Sequence, residues 1–206
     1  MKHIVTAIKE NTSTLLSFIV AQLGMMIFGL VVIGACIGIG NTTLTIVASL
    51  FTIGFYLALL YNKAWLMGAK DRIRIDGGRL EPMPLKGLLI GALANLLNLV
   101  LAILANIGFA FLKADDVFHW GNQLYYTAKG LWRFLHSFYI GVLNLLQPFF
   151  QVPLTDGLFD IHPLWLLILL LPGLTACTAG YLMGSNNLRI LGFFGIPMLS
   201  SDTKNR

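Results

Sequence analysis

Long apolar runs alternate with short polar intervals along this chain, and each long run suffices to cross a bilayer. A helix covers the hydrocarbon core with about 20 apolar residues at 1.5 Å each. The runs predict spans over 12–37, 44–62, 87–112 and 163–183. Thr12, Ser13 or Thr14 can cap the first. The turn from Gly38 to Thr43 is so short that the second span must return antiparallel to the first. The pairs Gly34/Gly38 and Gly180/Gly184 let another backbone come close. Tyr56, Tyr61 and Trp65 are expected in an interfacial aromatic belt, and Pro172-Gly173 predicts a kink in the last span.

The segment 113–161 departs from this alternation. Leu131–Val152 is apolar enough to span but carries Arg133, His136, Asn144 and Gln147, then Pro148. It reads as a helix lying in the interface or dipping in and out of it. The predicted fold is therefore an all-α integral membrane protein. Four transmembrane helices form two hairpins, with an interfacial or re-entrant helix between helices three and four, in one membrane domain over 1–206.

The interval 63–86 is expected to be a loop. It holds Lys63, Lys70, Arg72, Arg74, Arg79 and Lys86 beside Asp71, Asp76 and Glu81. Gly77-Gly78 and Pro82-x-Pro84 rule out a continuous helix, and the Arg72–Asp76 alternation reads as a short strand or extended segment. Trp65-Leu66-Met67-Gly68 has an echo in Tyr181-Leu182-Met183-Gly184. With one gap, Arg74, Ile75, Gly77 and Pro82 fall on Arg189, Ile190, Gly192 and Pro197. The echo is either an internal duplication, which in transporters places sites at the repeat interface, or a helix-end motif used twice.

Composition agrees with burial in lipid. The chain is 57% hydrophobic and 11% charged, where soluble domains carry about 25% charged residues. Its mean hydropathy is +0.78. The net charge of +5 does not point to nucleic acid, because the cations sit in short segments beside apolar runs and not in a patch with interleaved aromatics. All Lys and Arg residues except Lys113, Lys129 and Arg133 lie in the N-terminus, the 63–86 interval or the tail over 185–206. Asp115, Asp116, Asp156 and Asp160 lie with those three exceptions on the other side of a four-span chain. Basic short loops stay in the cytoplasm, which predicts a cell (plasma) membrane protein with both termini cytoplasmic. Cys36 and Cys177 fall inside apolar runs, which suits buried thiols.

The chain has no metalloprotease, nucleophile-elbow or nucleotide-binding motif. No catalytic residue, metal or cofactor is expected. The candidate partner-binding residues are Arg72, Arg74, Arg79 and Arg189, two basic exits on one face. Asn95, Asn98 and Asn106 share one face of the third predicted helix, as ligand contacts or as interhelical glue. Asp115, Asp116 and His119 with Asp160 and His162 form a weak candidate metal group. Arg133 and His136, one helical turn apart, suit a lipid headgroup. The pattern Trp65-x-x-Gly68-x-Lys70-Asp71, followed by Gly78-Arg79 and Lys86-Gly87, resembles small uncharacterised multi-pass membrane proteins of Gram-positive bacteria. The resemblance covers mainly the 63–86 interval and implies a bacterial plasma membrane without implying an activity. The reading that follows is a non-enzymatic membrane subunit that offers its basic interval to a cytoplasmic protein, with the bilayer and a second copy of the chain as further partners. The alternative is a small-solute transporter, or its substrate-binding component, working through the asparagine face.

Overall fold

Gly40 takes a positive φ of 75°, a conformation open to glycine, and this lets two long helices fold back on each other. The structure is a computed structural model that describes residues 11–113, 116, 118–154 and 159–188. Helix α1 covers Thr12–Gly38 and α2 covers Thr42–Asp76. The Asn41 side chain caps α2 by accepting from the Leu44 N–H at 3.0 Å. Phe28 and Phe55 meet with ring centroids 6.5 Å apart, as an antiparallel hairpin requires.

With 35 residues, α2 is about 52 Å long, well beyond a hydrocarbon core of about 30 Å. The loop expected from Lys63 and the strand expected over Arg72–Asp76 are both helix. The reason lies in the sequence. No glycine pair or proline interrupts it before Gly77, Ala64, Leu66, Met67 and Ala69 favour helix, and Arg72 pairs with Asp76 one turn on at 2.8 Å. Gly77-Gly78 then ends the helix. Gly78 has φ 67°, and the Arg79 N–H reaches back to the Arg74 carbonyl at 2.8 Å while the Gly78 N–H reaches Ile75 at 2.9 Å. This pair of bonds is a Schellman motif.

The third predicted span is broken. Helix α3 (Lys86–Ala94) and α4 (Leu96–Ala110) meet at Asn95 with a bend of 61°. Both the backbone N–H of Asn95 and its side-chain amide donate to the Gly91 carbonyl, at 3.1 and 2.9 Å. A side chain that takes up a helical acceptor bends a helix at that point. Helix α5 (Trp120–Leu135) follows, then a 3₁₀ turn (Ser137–Tyr139) and α6 (Ile140–Phe150). Leu131–Val152 is thus no single spanning helix; it breaks at His136. Strands β1 (Gln151–Pro153) and β2 (Phe159–Ile161) form a small antiparallel hairpin. A short α7 (Leu164–Ile168) leads into α8 (Leu171–Ser185). The break near Pro172 falls at Leu169-Leu170, which leaves the proline in the first turn of α8, where its missing N–H costs nothing.

Three helical stretches, Thr12–Gly38, Thr42–Asp76 and Leu164–Ser185, are long and apolar enough to cross a membrane, and α3 with α4 passes the same test as one bent span. The all-α class therefore holds, with three or four helical stretches that could span a membrane. Large apolar side chains such as Val31, Phe51 and Phe149 stand on the outside, where lipid is the natural contact.

Glycines set the packing. A Cβ on Gly68 would run into the Tyr181 carbonyl, and one on Gly184 into the Trp65 carbonyl. The two Leu-Met-Gly motifs therefore face each other reciprocally. Gly180 lies against Tyr61, Gly184 against Trp65 and Gly68 against Ser185, so α2 and α8 run parallel. Gly87 and Gly91 of α3 lie against Tyr181 and Cys177, which makes α3 antiparallel to α8. By contrast, Gly34 and Gly38 of α1 have open space around them. Tyr56, expected at an interface, is instead buried against Phe138.

Candidate functional site

The basic end of α2 outruns its neighbour. Gly68 is level with the last residues of α8, so Ala69–Asp76 extends about 12 Å beyond them. On this extension Lys70, Arg72, Ile73 and Asp76 are exposed, as is Arg79 just after it, while Arg74 is partly buried. Ile73 is 75% exposed, high for a large apolar side chain. The Arg72–Asp76 pair is open to solvent and stabilises little. Arg189 lies outside the described residues.

One charge on the extension turns inward. Asp71 accepts from Lys86 Nζ at 2.6 Å and from the Tyr181 hydroxyl at 3.0 Å. Asp71 and Lys86 are 3% and 2% exposed. Lys86 is the first residue of α3, so the bond closes the 77–85 turn, and Tyr181 adds α8 to the junction. In the sequence, Asp71 and Lys86 look like charges of a loop. Spacing gives no signal for the pair, since Asp71 stands between Lys70 and Arg72 and Asp76 is a second acid before the same turn.

Asn95 sits at the bend itself, while Asn98 and Asn106 both lie beyond it on α4 and meet different neighbours. Gln22 and Asn98 exchange two amide hydrogen bonds, at 2.9 and 3.0 Å, and Asn98 also donates to Asn95 at 3.1 Å. Asn106 donates to the Pro163 carbonyl at 3.1 Å. Asn98 thus ties α4 to α1 and Asn106 ties it to Pro163, while the bonds of Asn95 stay within α3 and α4. A cavity of about 300 Å³ adjoins Gln22 and Asn98, with mostly aliphatic walls.

Among the described residues the candidate metal group does not assemble. His119 caps α5 by accepting from Gly121, Asp116 accepts from the Phe118 N–H, and His162 packs against Phe109. Asp160 is committed to cations, and Asp115 lies outside the described residues. Among the described residues no three His, Cys, Asp or Glu side chains come together to hold a metal.

Arg133 and His136 part company as well. His136 is 2% exposed and stacked on Trp132 at 4.2 Å. Burial pushes its pKa down to about 4, a hydrogen bond to the Trp132 carbonyl offsetting part of this. Arg133 instead joins Lys129 around Asp160. Arg133 Nη2 reaches Asp160 Oδ1 at 2.7 Å, and Lys129 Nζ reaches Oδ2 at 2.7 Å. Burial raises the Asp160 carboxyl, but the Lys129 bond and the two cations outweigh it and hold it below the usual carboxylate range. Lys129, the more deeply buried, goes the other way from what a salt bridge alone would give: desolvation lowers it to about 8 in spite of Asp160. No protein-family model, no curated protein and no solved structure matches this chain.

Proposed function

We propose that this chain is a non-enzymatic integral membrane subunit that presents the basic end of α2 to a cytoplasmic protein partner. The observation that carries the reading is the extension of α2 past α8, with Arg72 and Ile73 exposed on a helix anchored by the buried Asp71–Lys86 pair and Arg79 exposed just after it. A rigid basic helix with a bare isoleucine suits an acidic surface with an apolar notch better than it suits solvent. The parallel course of α2 and α8 supports a common side for both basic exits. The excess of Lys and Arg there supports a cytoplasmic location for that side and for both termini, in a bacterial cell membrane.

The test is a photo-reactive residue in place of Ile73, in native membranes, with and without Arg72, Arg74, Arg79 and Arg189 changed to Ala. The expected result is a discrete cross-linked protein that disappears in the variant. Cross-links to lipid alone, or an unchanged product, would sink the reading. The second reading, a solute-binding component of a transporter, draws on the cavity of about 300 Å³ beside the break in α3–α4, since interrupted spans line many transport sites. Loss of uptake in Asn98→Leu with the fold intact would favour it over docking.

A further inference from the structure

We propose that the cleft between α5, α6 and the β1–β2 hairpin binds a phosphate-class anion, with Arg133 as its cation and the Asn144 and Gln147 amides as further donors. The cleft measures about 300 Å³ and is lined by Arg133, Ile140, Leu143, Asn144, Gln147 and Asp160.

The charge balance carries the argument. Lys129 is fully used: its ammonium, which has three protons to give, donates to Asp160, the Tyr125 hydroxyl and the Ile161 carbonyl. Asp160 is satisfied too. Its Oδ1 accepts from Arg133 and the Ile161 N–H, and its Oδ2 from Lys129. Among the described residues one carboxylate thus faces two cations, and the charge left over there is that of Arg133. The fold makes little use of this arginine. It gives one nitrogen to Asp160, its Nε is buried without an acceptor, and 39% of its side chain remains exposed. Asn144 and Gln147 sit one turn apart on α6 and make no side-chain hydrogen bond among the described residues. An uncompensated cation beside a low-dielectric wall favours a counter-anion. A guanidinium fork with two amides offers donors from several directions, which suits the several oxygens of a phosphate better than the two of a carboxylate.

The same chemistry has two sources. Ile140 and Leu143 wall the cleft, and the neighbouring Leu145 and Phe149 are exposed, so an acyl chain could follow a lipid phosphate. A free phosphate would use the polar rim alone. His136, the residue that spacing pairs with Arg133, faces Trp132 and takes no part.

The experiment follows thermal unfolding of the full chain in neutral detergent. The probes are dioleoylphosphatidylglycerol, dioleoylphosphatidylcholine and inorganic phosphate. The variants are Arg133→Gln and the double change Asn144→Ala with Gln147→Ala, which alters only partly or fully exposed side chains. Stabilisation of wild type by phosphatidylglycerol but not phosphatidylcholine identifies a lipid headgroup. Stabilisation by inorganic phosphate identifies a soluble phosphate. In either case both variants should need about tenfold more probe or better, with the double variant melting as wild type does without probe. No stabilisation by either anion, or equal stabilisation in the double variant, overturns the proposal even if Arg133→Gln fails to fold.

Discussion

Gly184 rests on the carbonyl oxygen of Trp65 with no room for a Cβ, and this contact sets the spacing of α2 and α8. Gly184→Ala should force the helices apart and cost about 1–3 kcal/mol, as overpacking does. Gly54, with open space around it, is the control. There an alanine should stabilise by up to about 1 kcal/mol through helix propensity. Thermal melts in detergent read both. If the two variants shift in the same direction, the close contact is not what limits the approach of the helices.

The buried pair beneath that contact predicts an asymmetric response. Asp71→Leu or Lys86→Met alone leaves a lone charge among apolar helices and should cost about 3–5 kcal/mol. The double change removes both charges and should recover most of the loss. Tyr181→Phe deletes one hydrogen bond to a carboxylate and should cost about 1.5–3 kcal/mol. Additive losses in the double variant would mean that Asp71 and Lys86 act separately.

The Gln22–Asn98 exchange makes a similar claim for α1 and α4. Changing either residue to Leu strands the other amide in an apolar site. The double-mutant cycle should therefore show a coupling of about 0.6–1.7 kcal/mol, from the average to the largest value found for hydrogen bonds between membrane helices. A cycle that closes at zero would argue that the two amides face a wet cavity, as the transporter reading wants.

How far the sequence revealed this fold depends on the residue in question. Apolar runs located α1 and the start of α2, because hydropathy reports burial in lipid directly. The glycine and proline breakers located the turn at Gly77-Gly78. The end of α2 is hidden in the sequence because its charges imitate a loop, although Lys63–Asp76 holds no proline and no glycine pair. The bend at Asn95 was hidden because a helical wheel assumes a straight helix. The two Leu-Met-Gly motifs that echo each other in sequence meet across the α2–α8 pair, through Gly68 and Gly184. Helix α2 runs on to Asp76 while α8 ends at Ser185, and the partners Arg189, Ile190, Gly192 and Pro197 lie outside the described residues. Of the candidate site residues, Arg72 and Arg79 stand exposed as expected. The ion pairs of Asp71 with Lys86 and of Asp160 with Lys129 and Arg133 were not legible, since each joins residues by tertiary packing rather than spacing.

His136 supplies a prediction in pH. Its folded pKa of about 4 lies below the ordinary value of 6.5, so between those values the unfolded chain binds the extra proton. Stability then rises with pH across that window. The contribution of neutral His136 is complete above about pH 6.5 and fades as the pH falls towards 4, by roughly 3 kcal/mol in all. His162 shifts in the same direction but is only partly buried, and the fall in Asp160 matters only below the usual carboxylate range. The difference between wild type and His136→Phe, which keeps a ring against Trp132, therefore isolates His136. Wild type should lose stability from pH 7 to 4.5 faster than the variant. Parallel curves would mean that His136 reaches water in the folded protein and that its stack on Trp132 does not exclude the proton.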